Sequence, residues 1–155
     1  MRGRIFVFAL TAALAFPANA LESPGIDPTT ADALETVCHA VRDAQIQDDS
    51  SLDGRCVGGT GGFLGGVMQT APDTIEPVVA DVTTRLALLV EEEVKCKLVE
   101  TEIPQAIRLA STYSKDPEQV ERIIRIAETI EACQLGATQA IDLSALREIA
   151  SDTGA

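Results

Sequence analysis

Asp73-Thr74-Ile75-Glu76-Pro77-Val78-Val79-Ala80-Asp81-Val82-Thr83-Thr84-Arg85-Leu86-Ala87-Leu88-Leu89-Val90-Glu91-Glu92-Glu93-Val94-Lys95-Cys96-Lys97 sets Ile75, Val78, Val79, Val82, Leu86, Leu89, Val90 and Val94 at three- and four-residue steps. That spacing gives a helix one broad apolar face. Pro77 fits only in the first turn, so residues 73 to 76 are expected as a lead-in turn. Glu91 and Glu93 each precede a lysine by four residues, Lys95 and Lys97, the favourable order for intrahelical pairs. The stretch is expected to form the longest helix of the chain.

Downstream, the same periodicity returns. A shorter helix is expected from about Pro104 to Tyr113, with Ile103, Ile107 and Ala110 facing inward. Asp116-Pro117-Glu118-Gln119 combines an acidic cap, a first-turn proline and a glutamine at the capping-box position. The helix it opens carries Val120, Ile123, Ile124, Ala127 and Ile130 and should stop at Gly136. Asp142 opens a last helix with Leu143, Leu146 and Ile149. Residues 72–79 and 117–124 share proline, acid, aliphatic, glutamate and an aliphatic pair. A common grammar for starting a helix explains this likeness better than a repeat, since solenoids need more copies.

Upstream, Asp27 and Pro28 are expected to start a helix with the stripe Leu34, Val37, Cys38 and Val41, ending near Gln47. Residues 48–54 read as a polar turn. With no strand pattern present, the expected class is all-α: a small irregular bundle of five or six helices in one domain over residues 27–151.

Residues 1–20 have a basic start (Arg2, Arg4), an apolar run from Ile5 to Phe16 and a small-residue exit, Ala18-Asn19-Ala20. This is the pattern of a cleaved secretion signal, because the run is shorter than the roughly 18 to 20 residues that span a bilayer. Residues 21–26 read as a flexible lead-in. The expected location is the periplasm or beyond, in a bacterium, after cleavage near Ala20. An even number of cysteines in such a compartment reads as disulfides. Cys38, Cys56, Cys96 and Cys133 contain no C-x-x-C pair, which leaves zinc-ribbon and thioredoxin-like spacing unsupported. The pairing expected is Cys38–Cys56 and Cys96–Cys133, the second because two helices separated by one returning helix run parallel and bring their C-terminal ends together.

Beyond residue 20 the chain has ten basic and twenty-four acidic side chains, a net charge of −14. Such a surface repels nucleic acid and anionic lipid. Phe63 and Tyr113 are its only aromatic residues, too few for a site that stacks bases or sugars. His39 is the only histidine, and adjacent residues on a helix diverge by about 100°, so it forms no dyad with Cys38. It reads as a surface residue. Asp49, Ser51, Asp53 and Gly54 fit the first half of a calcium loop, but Thr60 stands where a bidentate glutamate is required. No cofactor, metal or catalytic residue is expected.

The anomaly is Val57-Gly58-Gly59-Thr60-Gly61-Gly62-Phe63-Leu64-Gly65-Gly66-Val67-Met68, with six glycines. In a helix each would cost about 1 kcal/mol relative to alanine, so a connector that tucks Phe63, Leu64, Val67 and Met68 into the core is the simpler expectation. Alternatively, Phe63, Leu64, Val67 and Met68 form an adaptable contact surface, joined by an acidic face at Glu91, Glu92 and Glu93 that suits a basic partner. The expected function is protein–protein binding without enzymatic activity, in an accessory, inhibitor or immunity-type role. Two alternatives stand beside it: membrane association or self-assembly through residues 57–68, and a hydrolase relying on paired carboxylates.

Overall fold

The computed structural model describes residues 28–91, 96, 100–137 and 139–151. Among these the chain is all-α, with six helices and no strand: α1 (Ala31–Ile46), α2 (Arg55–Thr70), α3 (Ile75–Leu88), α4 (Ile103–Ser111), α5 (Pro117–Gln134) and α6 (Ser144–Ser151). A 3₁₀ turn, Pro72–Thr74, leads into α3 and leaves Pro77 in the first turn of the helix. The expected signal segment and lead-in lie outside the described residues.

The helices form a packed bundle. α4 and α5 make a helical hairpin, α3 lies against α6 and α4, and α2 packs against α1 and α4. The core is almost wholly aliphatic: Leu34, Val41, Leu64, Ile75, Val79, Leu86, Ile103, Ile107, Ile123, Ile130 and Leu146 are buried. Phe63 and Tyr113 sit half-buried at its edge. Two disulfides cross the bundle, Cys38–Cys56 and Cys96–Cys133, with Cα–Cα distances of 4.6 and 5.7 Å.

Helix boundaries depart from the sequence reading at three places. α1 begins at Ala31 with Thr30 as its cap, the hydroxyl accepting the N–H of Ala33 at 3.1 Å. Pro28 does not enter the first turn but is buried, packed toward α2. α3 ends at Leu88 rather than near Lys97, and α5, with 18 residues, is the longest described helix. At the end of α3 the buried guanidinium of Arg42 donates from Nη1 to the carbonyl of the cap residue Leu89 at 2.8 Å. Glu91 therefore lies beyond α3, and the pairs expected from Glu91 to Lys95 and from Glu93 to Lys97 fall outside the described residues.

The third departure is at Gln119. Its side chain does not return to the cap of its own helix: buried, it donates from Nε2 to the carbonyl of Glu76 at 2.9 Å. The Glu76 carboxylate in turn accepts from Ser114 Oγ and from the N–H of Lys115, both at 2.6 Å. The starts of α3 and α5 are thereby locked side by side. Asp116 caps α5 as expected, accepting the N–H of Glu118 at 2.9 Å. At its other end Gly136 takes φ +94° and closes a Schellman turn, with Gly136 N–H on Cys133 O and Ala137 N–H on Ala132 O.

Candidate functional site

The glycine segment is helical throughout. α2 contains all six glycines of residues 57–68, so the connector expectation is overturned, and the stabilisation that overcomes their poor propensity is tertiary. Its cap Gly54 sits at φ +79°, a conformation that favours glycine, and supplies no side chain of its own. Glu102 supplies it instead. Its Oε2 accepts the N–H of Gly54 at 2.6 Å, and its Oε1 accepts those of Cys56 at 2.7 Å and Val57 at 3.2 Å. A carboxylate at a helix N-terminus satisfies orphan donors and complements the helix dipole. Cys56 is also tied to α1 by its disulfide, and Tyr113 donates its hydroxyl to Gly61 O at 3.1 Å.

The glycines divide by face. An ideal Cβ at Gly59 would lie 3.2 Å from Pro28 Cγ and 3.3 Å from Leu34 Cδ1, and one at Gly61 would lie 3.3 Å from Leu109 Cδ2. Close approach of α1 and α4 uses these positions. Gly58, Gly62 and Gly66 face the other way, are exposed, and have nothing within 4 Å of an added Cβ. They form a smooth row opposite the buried Cys56, Thr60 and Leu64.

At the head of that row lies a cleft of about 840 Å³. Val57 and Gly58 line it from α2, Asp53 from the preceding turn, Glu100, Thr101 and Glu102 from the entry to α4, and Glu131 and Gln134 from α5. Four carboxylates and no lysine or arginine are among its described lining residues. Gln45 orders one wall, donating to Asp53 Oδ1 at 2.9 Å and accepting the N–H of Glu102 at 3.2 Å. Arg108, behind the other wall, donates to both oxygens of Glu131, at 3.1 and 2.7 Å. That hydrogen-bonded pairing holds Glu131 below the usual carboxylate range and raises the Arg108 guanidinium.

The sequence-derived contact residues do not come together in this cleft. Leu64 is fully buried and belongs to the core, while Phe63, Val67 and Met68 are half-buried against it. Glu91 is exposed but lines a separate cavity with Val90, Cys96 and Cys133. Glu92 and Glu93 lie outside the described residues. Glu102 and Glu100 were not singled out by sequence, and Asp53 only as a position of the incomplete calcium-loop match. Glu102 directly precedes Ile103-Pro104 and reads locally as part of α4's own start; nothing in the chain signals that it reaches 46 residues back.

Other candidates resolve into local structure. His39 is half-exposed, its Nδ1 3.1 Å from Asp43 and its Nε2 3.0 Å from Arg42 Nη2, with no nucleophile between. Asp49 accepts the N–H of Ser51 at 2.9 Å, a turn interaction that holds its carboxyl below the ordinary value. Among the described residues no group of three or more potential ligands could hold a metal, and no helix is long and apolar enough to cross a membrane. Every resolved carboxylate shift among them is downward, at Asp49, Glu131 and Asp142. No protein-family model, curated protein or solved structure matches the chain.

Proposed function

We propose that the chain is an exported, non-enzymatic helical protein of a bacterial envelope that binds another protein, in an accessory, inhibitor or immunity-type role. The observation that carries this reading is the acid-lined cleft together with the exposed row Gly58, Gly62 and Gly66 of α2, whose first residue, Gly58, lines it. Three exposed glycines weaken a helix without relieving any internal clash. What they offer is close approach of a second backbone, with Asp53 and Glu100, in the cleft that Gly58 lines, favouring basic side chains. The half-buried Phe63, Val67 and Met68 leave part of their apolar surface at the edge of the same helix. Two disulfides fit an oxidising compartment, which agrees with export to the periplasm or beyond.

The test is co-purification from the exported fraction with three chains: the parent, Gly62→Arg and Glu100→Lys. A protein retained by the parent and lost from both variants, at unchanged circular dichroism, supports the reading; a protein retained equally by all three rejects it. Membrane association or self-assembly through residues 57–68 predicts flotation with liposomes or dimers on a sizing column. A monomer that stays in the soluble fraction removes that alternative.

A further inference from the structure

The two disulfides stand in different surroundings. Cys38 and Cys56 are both 0% exposed, sealed between α1 and α2. Cys96 and Cys133, at 3% and 5%, both line a cavity of about 360 Å³. Glu91, Ala137, Gln139 and Ala140 of its lining are exposed, so the cavity opens to solvent. Thiol–disulfide exchange requires a thiolate to reach a sulfur, and access is what separates the two bridges. Their backbones differ as well. Cys56 is held by the Glu102 carboxylate in the first turn of α2, whereas Cys133 lies in the last turn of α5, where the helix closes at the exposed Leu135 and Gly136.

We propose that Cys96–Cys133 is a thiol-exchange site for thiols small enough to enter this cavity, and that Cys38–Cys56 is inert framework. A thiolate attacks Cys133 Sγ, Cys133 being the more exposed of the two residues; a new S–S bond forms and the Cys96–Cys133 bond breaks, its electron pair leaving on Cys96 Sγ. A second thiolate then attacks the incoming sulfur of the mixed disulfide and releases Cys133 as thiolate. The two thiols are oxidised to one disulfide, the protein bridge is reduced by two electrons, and the cysteines take up protons from water. Exchange removes the covalent tie between Cys96 and the last turn of α5.

The test is timed treatment of the full folded chain with limiting 2-mercaptoethanol, quenched by alkylation and mapped by mass spectrometry. Cys96 and Cys133 should be labelled at least about tenfold faster than Cys38 and Cys56, with helicity retained and the first mixed disulfide on Cys133. Equal labelling of the two bridges, earlier opening of Cys38–Cys56, or a first adduct on Cys96 overturns the proposal. A Cys96→Ser/Cys133→Ser chain separates access from unfolding. Its remaining bridge should resist the same treatment, and if it opens as fast as Cys96–Cys133 does in the parent, the proposal falls.

Discussion

The carboxylate of Glu102 accepts the backbone N–H of Cys56 at 2.7 Å, so the start of α2 is capped from the entry to α4. The helix with the poorest intrinsic propensity thereby depends on a residue far along the chain. Glu102→Ala should destabilise the fold by about 1–3 kcal/mol, because the N–H groups of Gly54, Cys56 and Val57 lose their acceptor. Glu102→Gln should fall between this variant and the parent. Urea titration followed by circular dichroism decides it, and a Glu102→Ala midpoint equal to the parent's would show that water replaces the cap.

The two classes of glycine should respond oppositely to alanine. Gly62→Ala meets open space and should stabilise by about 0.5–1 kcal/mol through helix propensity. Gly59→Ala should destabilise, since its Cβ would crowd the Pro28 ring and Leu34. Thermal midpoints of the two single variants give the signs directly.

Phe63 and Leu64 are adjacent in sequence but not in role. Leu64→Ala, at a fully buried position, should cost about 2–5 kcal/mol, and Phe63→Ser, at a half-buried one, distinctly less. Similar losses in chemical denaturation would contradict this division between core and edge.

Thr83 is buried with no hydrogen-bond partner for its hydroxyl among the described residues. Thr83→Val keeps the shape and removes the unsatisfied group, so a gain of about 1 kcal/mol is expected in an equilibrium unfolding curve.

The bond from Arg108 depresses the Glu131 pKa in the fold. A depressed carboxylate contributes stability that is full above its unfolded pKa and lost as pH falls through the folded one, because the unfolded chain then binds more protons. The pair is partly exposed, so its contribution is under about 1 kcal/mol. Glu131→Gln should flatten the fall in stability below the ordinary glutamate value of 4.5 and leave the slope near neutrality unchanged. Unfolding curves collected across the acid range measure both.

Sequence alone determined the helical class and most helix starts; it favoured the cysteine pairing found in the fold without deciding among the three possible ones. These rest on local physics: three-and-four spacing of aliphatic residues, a proline allowed only in a first turn, an aspartate before α5 and a glycine after it. Only the tertiary structure decided where α3 stops and that residues 57–68 are helical, since both outcomes depend on partners distant in sequence. Arg42 caps the end of α3 from 47 residues away, and Glu102, Pro28, Leu34 and Leu109 pack against the glycine-rich helix. The cleft has the same origin. Its carboxylates come from separate elements of the chain, and packing alone makes them neighbours.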